Sequence, residues 1–282
     1  MINYLLYLNG NNVKMLRALG AIRALENKLG APEKIIASGP ATMIGCLYSQ
    51  YGLDKTIKVM KDHFNALEAL FSFDFYETDR GIILRSETYR KLNDFYTLIK
   101  SGTSGKHLGI EDLKKIEKFL DSTFDFLTGH MLKIPCYTSL FNYETVEEKV
   151  ISITTIKELK AGISIVPFMG PVEIDGQKYI SIQNIQGLPS PIKDRRCDLH
   201  ILLDTLSENG TPPFMSSMYI LIAADYMGTI ELKKQREMEF SVDINLWENP
   251  EYRKGIDFEN LINEGYKTAN LQLKKLFRKL RL

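Results

Sequence analysis

Hydrophobic and polar positions at the start of the chain follow a strand, helix, strand pattern. Residues 2–8 are a continuous apolar run, which is typical of a strand buried on both faces of a parallel sheet. Over residues 13–29 apolar side chains recur at helical spacing, and Gly30 and Pro32 stop that helix. Ile35 and Ile36 then begin a second strand. This order predicts a βαβ unit, in which two parallel strands are joined by a right-handed crossover.

The rest of the chain alternates helical and strand-like segments, which favours an α/β fold. Helical patterns follow residue 40 to about residue 51, continue to about residue 75, fill most of 86–130, and return at 159–165, 214–239 and 258–282. Strand-like runs lie at 134–141, 149–154, 199–203 and 242–246, a turn at 78–81, and an irregular segment at 167–179 with a tight turn at Asp175 and Gly176. No repeat or linker divides the chain, so we predict one domain spanning residues 1–282.

Composition and charge narrow the classes of function. The 282 residues are 44% hydrophobic, which is enough for one large core, and the net charge of +1 gives no electrostatic case for a nucleic-acid partner. Cys46, Cys136 and Cys197 are isolated, so the sequence encodes neither a disulfide framework nor a zinc site. The first residues lack the pattern of a signal peptide. We therefore expect a cytoplasmic protein, soluble or peripherally membrane-bound, with no cofactor and no metal.

Residues 34–48 predict a short buried strand, a sharp turn of small residues, and a helix. The apolar side of that helix carries Met43, Ile44 and Leu47. In hydrolases such a turn is a nucleophile elbow, where a serine between two glycines lies exposed at the start of the helix. Here Ser38 comes one residue before the place where the nucleophile is expected.

Several motifs in order along the chain resemble the patatin-like phospholipase family over nearly its full length. They are residues 8–14 with 20–25, residues 37–41 at the elbow, residues 164–176, residues 180–189, and Gly265 with Tyr266 in the last helix. The resemblance implies a three-layer α/β/α sandwich around a mostly parallel sheet. It also implies a lipid acyl hydrolase that uses a serine and an aspartate as its catalytic dyad.

The sequence departs from the family at each part of the catalytic machinery. In the alignment that the resemblance gives, Gly39 stands at the nucleophile position and Ser181 at the dyad aspartate position. Pro40 has no N–H to donate to an oxyanion. The remnant of the oxyanion loop is Gly10, Asn11 and Asn12. The departures predict a catalytically inactive patatin-like protein that binds an acyl lipid or an anionic membrane, or that regulates an active patatin-like partner.

Two alternatives remain open at this point. A register shift of one residue would make Ser38 the nucleophile of a working lipid acyl hydrolase with Gly39 as its oxyanion donor, although Ser38 could instead cap the elbow helix. Asp175 is the nearest aspartate to the dyad position, but six residues along a strand or turn is a long way for a hydrogen bond, and the four histidines lie in no recognisable catalytic setting. Asp204 follows a strand and could be a functional carboxylate or a capping residue. The remaining alternative is an interaction scaffold with no lipid role.

The C-terminal segment carries a basic amphipathic pattern. Its apolar residues are Leu273, Leu276, Phe277 and Leu280, and its cations are Lys274, Lys275, Arg278, Lys279 and Arg281, with no acid among them. A helix of this kind can lie in an anionic membrane interface, with Phe277 and the cations as the membrane face. Alternatively, the helix packs its apolar stripe on the sheet and leaves only the cations in water.

Overall fold

A computed structural model describes thirteen stretches of the chain and shows an α/β architecture. The described residues are 2–10, 13–65, 67, 75–78, 81–84, 113–142, 144–164, 169–186, 188–192, 194, 197–205, 240–246 and 257–280. The strands are β1 Tyr4–Asn9, β2 Lys34–Ser38, β3 Phe75–Thr78, β4 Gly81–Leu84, β5 Cys136–Asn142, β6 Glu147–Ser152, β7 Val172–Ile174, β8 Gln177–Ser181, β9 Leu199–Asp204 and β10 Val242–Asn245. The helices are α1 Arg17–Leu29, α2 Ala41–Tyr51, α3 Leu53–Asp62, α4 Leu113–Thr123, α5 Ile156–Ile163, α6 Gln183–Gln186 and α7 Phe258–Leu280, and a 3-10 turn at Val13–Leu16 precedes α1.

Eight of these strands form one mixed sheet. Its order is β10-β9-β1-β2-β5-β8-β7, and β6 pairs with β5. The first five strands of that order are mutually parallel, whereas β6 and β8 run antiparallel to β5, and β7 antiparallel to β8. β1 therefore lies in the parallel part between β2 and β9, and the carboxyl ends of these three strands meet at one edge of the sheet.

Alternation along β1 explains how a continuous apolar run is buried on both faces. Leu6 and Leu8 join the larger core, which α1, α2 and α7 cover, while Leu5 and Tyr7 point to the opposite face. There they pack with residues of the segments after α6 and before β10, including Leu188. All six residues of β1 are buried. The predicted βαβ unit is confirmed, because β1 and β2 are neighbouring parallel strands joined through α1.

The first and last of the described helices touch backbone to backbone. A Cβ atom added to Gly20 in α1 would lie 1.9 Å from the carbonyl oxygen of Ile262, and one added to Gly265 in α7 would lie 1.9 Å from the carbonyl oxygen of Arg17. Arg17 is buried at 3% exposure and donates to Glu264 at 2.7 Å and to the carbonyl oxygen of Leu246 at 3.0 Å. The two glycines singled out in the sequence thus permit the close approach of these helices.

The structure contains two antiparallel pairs of strands that the sequence prediction did not include. β3 and β4 pair on either side of the turn predicted at 78–81, beyond the helical stretch that was expected to end near residue 75. The segment expected to be irregular contains the hairpin of β7 and β8. Its tight turn at Asp175 and Gly176 is confirmed, and φ values of 51° and 76° there match the two left-handed positions of a type I′ turn.

Other predictions concern segments that the structure describes only in part. The strand-like runs at 134–141 and 149–154 are confirmed as the antiparallel pair β5 and β6, with bounds shifted by one or two residues. Outside the described residues lie the helix predicted over 214–239, residues 86–112 and residues 281–282. Within the described residues, no helix combines the length and apolar content needed to cross a bilayer.

Candidate functional site

The elbow predicted from residues 34–48 is present as a strand, a turn and a helix. β2 ends at Ser38, Gly39 follows with a φ of +63°, and α2 begins at Ala41 directly after Pro40. A φ in this range is strained for residues with a side chain, and it is the sharp backbone that lifts a nucleophile out of the strand in hydrolases. The residue at the top of the elbow is therefore Gly39.

The space where a side chain would project from Gly39 is occupied. An added Cβ atom would lie 2.3 Å from Oε1 of Gln183 and 2.7 Å from the carbonyl oxygen of Gly10. Both distances are far below a normal contact, and the second involves backbone that cannot swing aside. Gln183 itself is buried at 6% exposure and lies just after β8, at the start of α6. Its side chain closes the elbow at the point where a nucleophile would stand.

The two positions that the resemblance assigned to the catalytic dyad are in contact. The backbone N–H of Gly39 donates to Oγ of Ser181 with an N···O distance of 3.0 Å, and the N–H of Gln183 reaches the same oxygen at 3.4 Å. Ser181 is fully buried at the end of β8. A hydroxyl that accepts these hydrogen bonds thus stands at the position where the resemblance implies a carboxylate.

Backbone amides at the elbow already have partners. The Gly39 N–H is used by Ser181, Pro40 has none, and the Ala41 N–H donates to the carbonyl oxygen of Gly10 at 3.3 Å. The Thr42 N–H donates to the carbonyl oxygen of Gly39 at 2.9 Å, as the first bond of the helix. An oxyanion hole needs N–H groups directed at an incoming oxygen, and residues 39–42 offer none that is unused. Of the predicted oxyanion-loop remnant, Gly10 is described, while Asn11 and Asn12 lie outside the described residues.

Ser38 is the last residue of β2 and is fully buried. Its Oγ donates to Oδ1 of Asn9 at 2.7 Å, and Nδ2 of Asn9 donates to Oδ1 of Asp204 at 2.9 Å. It does not cap the elbow helix, because α2 has Pro40 as its N-cap residue and no side-chain cap. The capping interpretation is therefore wrong, and the physical reason is that the Ser38 side chain points along the sheet edge to β1.

A buried polar cluster at the carboxyl ends of β1, β2, β8 and β9 surrounds the elbow, and sequence reasoning found only part of it. This elbow cluster consists of Asn9, Ser38, Ser181, Gln183 and Asp204. Asn9 is its hub, since its Oδ1 also accepts from Nε2 of Gln183 at 2.7 Å, while its carbonyl oxygen accepts from the side chain of Thr205 at 3.0 Å. The available signal was that Asn9 and Asp204 each end a buried strand, because parallel strands bring their carboxyl ends together.

The side-chain oxygen of Gln183 is left without a hydrogen bond in the elbow cluster. It is buried and accepts no hydrogen bond from any residue that the structure describes. It is this atom that faces Gly39 at the position of the absent side chain. An unsatisfied buried amide oxygen destabilises a fold by about 1–3 kcal/mol. Within the described ranges no group of three or more His, Cys, Asp or Glu side chains is arranged to hold a metal ion.

The histidines and Asp175 lie elsewhere. His63 packs edge-on against Phe119, with ring centroids 5.4 Å apart, His130 and Asp175 are exposed, and His107 is outside the described residues. His200 stacks on Tyr7, and its Nδ1 lies 3.1 Å from the Tyr7 hydroxyl, on the face of the sheet opposite α1. Burial lowers the pKa of His200, and the nearby Asp194 opposes that shift. None of the three histidines that the structure describes therefore lies at the elbow cluster.

The C-terminal helix divides its residues between the core and the surface. Leu273 is fully buried, and Phe277 is half-buried with Nζ of Lys28 5.4 Å from its ring centroid. Lys274, Lys275 and Arg278 are exposed. The side chains of Leu276, Lys279 and Leu280, and all of Arg281, lie outside the described residues. Phe277 thus packs towards α1, which corrects its expected place on a membrane face.

Comparisons with known proteins add little to this geometry. No protein-family model matches the sequence. No curated protein matches it either. Among solved structures the chain is similar to VipD from Legionella pneumophila, at 12% identity and a TM-score of 0.42, over 97% of this chain and 67% of that one. A likeness this weak carries no functional argument, so function is inferred from the elbow and its surroundings.

Proposed function

We propose that this chain is a catalytically inactive protein of the patatin-like type, whose elbow is closed and which acts by binding. The observation that carries the proposal is at Gly39, where Oε1 of Gln183 lies 2.3 Å from the position of a Cβ atom. A serine hydrolase needs an alcohol at this point, a base beside it, and N–H groups for the oxyanion. Gly39 supplies no alcohol, Ser181 supplies no base, and residues 39–42 have no unused N–H.

The contacts of Ser38 argue against the hydrolase alternative. To act as a nucleophile, Ser38 would have to lose its proton to a base within hydrogen-bond reach. Its Oγ donates to the side-chain oxygen of Asn9, and an amide oxygen accepts a hydrogen bond without taking the proton. The fully buried hydroxyl would also have to leave the strand to meet a substrate. Asp204 lies one residue further along this line, but Asn9 separates it from Ser38.

The rest of the proposal assumes that the chain keeps the scaffold of the patatin-like type but does not catalyse ester hydrolysis. The fold would be a single three-layer α/β/α domain, with the mixed sheet as its middle layer. Its ligand would be an acyl lipid or an anionic membrane surface, or an active patatin-like protein that it regulates, in the cytoplasm or at a membrane surface. No cofactor is assigned to it.

The test is labelling by a fluorophosphonate probe together with an assay of ester cleavage on short- and long-chain acyl esters. We expect the purified full chain to remain unlabelled and without hydrolysis above that of the Ser38→Ala variant. Matched controls are Ser49→Ala, which removes another fully buried hydroxyl, and an active serine esterase. Labelling or turnover in the wild type and in Ser49→Ala that disappears in Ser38→Ala would overturn the proposal in favour of a Ser38 hydrolase.

A further inference from the structure

The C-terminal half of α7 presents one outward face of related residues. Lys267, Leu271, Lys274, Lys275 and Arg278 recur at spacings of three and four, which places them on the same side of a helix. All five are exposed, and Leu271 has 60% of its surface in water, an unusual value for a leucine. These five residues are called the basic face. Lys267 was not among the residues predicted from the sequence.

Charge is segregated along α7. Its two acids, Glu259 and Glu264, lie in the N-terminal half and pair with Lys61 and Arg17 respectively. From Lys267 to the end of the helix there is no acid. None of the four cations of the basic face forms an ion pair with any residue in the described part of the chain. Cations near a helix C-terminus also favour the helix itself, but that effect acts only within the last turn.

The apolar stripe of the same helix is already used inside the protein. Leu261, Ile262, Ala269 and Leu273 are buried against the core on the opposite side from the basic face. The backbone contact between Gly20 and the Ile262 turn holds this side against α1. α7 therefore cannot insert its apolar stripe into a bilayer without separating from the rest of the protein. Among the described residues of this half of the helix, the basic face is the side that is exposed to a binding surface.

We propose that the basic face binds the anionic headgroup layer of a lipid bilayer by electrostatic contact, with Leu271 as its single apolar contact and without insertion of the helix. Four unpaired cations on one face are complementary to a layer of negative headgroups, and each cation near such a surface strengthens binding about fivefold. This inference rests on the proposed function, since it names the surface through which an inactive patatin-like protein would reach lipid.

The experiment is co-sedimentation of the full chain with vesicles of phosphatidylcholine alone and of phosphatidylcholine mixed with phosphatidylserine. The wild type should bind only the anionic vesicles, and binding should disappear at about 1 M salt, where the Debye length is only about 3 Å. The quadruple variant K267Q/K274Q/K275Q/R278Q should lose affinity by several hundred-fold, from about fivefold for each cation. The matched control K58Q/K133Q/K157Q/K178Q removes four exposed lysines on other elements and should bind as the wild type does.

Each other outcome overturns the inference. Equal binding to neutral vesicles would indicate insertion, and an equal loss in both quadruple variants would indicate diffuse charge attraction. If the wild type bound no vesicles at all, the basic face would not be a lipid-binding surface, and a protein would be the remaining candidate partner. Circular dichroism melting confirms that each variant is folded. Probe labelling at the elbow is measured in a separate experiment. A failure of vesicle binding would therefore leave the proposal of an inactive elbow intact, and labelling of the elbow would leave the proposal of vesicle binding intact.

Discussion

The backbone N–H of Gly39 donates a hydrogen bond to the hydroxyl of Ser181 across 3.0 Å, although the two residues are 142 positions apart in sequence. In an active dyad the interaction at this point would join two side chains, a serine hydroxyl and a carboxylate. Here the first partner is a backbone amide and the second is an alcohol. The contact joins the elbow to β8.

Gly39→Ala should destabilise the protein by about 3 kcal/mol or more, because a left-handed backbone and a steric clash act together. In a Gln183→Ala background the same substitution should be less destabilising by about 1 kcal/mol, since the clash with Gly10 remains. Urea unfolding of the four proteins in this cycle measures the coupling. The matched control is Gly52→Ala, where φ is +77° with no atom within 4 Å, and a loss of only about 1 kcal/mol is expected. Equal losses at both glycines would contradict a filled elbow.

Gly20→Ala and Gly265→Ala should each lower the free energy of unfolding by about 2–3 kcal/mol, since a methyl group would have to displace helix backbone. The gain in helix propensity, about 1 kcal/mol, would not offset this. Gly45→Ala in α2 is the control, because its nearest contact would be 3.3 Å and the propensity gain should nearly cancel the crowding. Thermal or urea denaturation gives the comparison. Neutral behaviour at Gly20 would mean that α1 and α7 do not meet through their backbones.

Stability should fall as the pH drops below the ordinary His200 pKa of 6.5. Burial lowers the pKa of His200 in the folded protein, so the unfolded chain binds the proton more readily between the two pKa values, and folding is favoured above this window. Burial also raises the pKa of the Tyr7 hydroxyl, which lies 3.1 Å from Nδ1 of the His200 ring. His200→Gln should flatten the dependence of the urea midpoint on pH, whereas His130→Gln, at an exposed site, should leave it unchanged. Nζ of Lys34 donates to the neighbouring Asp194 at 2.6 Å.

Glu148→Gln should loosen the segment at residues 188–192. The carboxylate of Glu148 accepts hydrogen bonds from Oγ of Ser139 at 2.5 Å, from the N–H of Ser190 at 2.8 Å, and from Oγ of Ser190. An amide cannot accept on both ends, so the loss should be about 1–3 kcal/mol. Hydrogen exchange at the Ser190 amide should accelerate while exchange within β1 does not change. Glu147→Gln, at an exposed neighbour, should have no effect on either.

Parts of the fold that depend on a local pattern were predictable from sequence. β1 is a continuous apolar run, β9 is mainly apolar, and α1 follows a regular helical spacing, so their type and burial follow from their own residues. The pair of β3 and β4 was missed, although the turn between them was predicted, because each strand has only four residues, too short a run to show a strand pattern. The elbow at Gly39 was predicted from the order of motifs along the chain, and the positive φ of Gly39 agrees with that prediction.

The details of the elbow cluster could not be predicted because they depend on contacts between distant segments. Nothing in the sequence around Gln183 indicates that its amide fills the space above Gly39, since the two meet only when β8 is paired with β5. Ser38 shows the same limit. A serine before a helix favours capping, and only the position of Asn9 at the end of β1 turns its hydroxyl along the sheet edge.

β1 pairs with β9, and Tyr4 lies opposite Leu199. During synthesis the central strand β1 therefore lacks this neighbour until 195 further residues have been added. A ribosome adds about 5–20 residues per second, and one edge of that apolar strand therefore stays open on the order of ten seconds or more during synthesis. α7, which seals α1, emerges later still. Chaperones that hold nascent chains should accordingly raise the yield of this protein more than they raise that of a domain built from contacts between neighbouring segments.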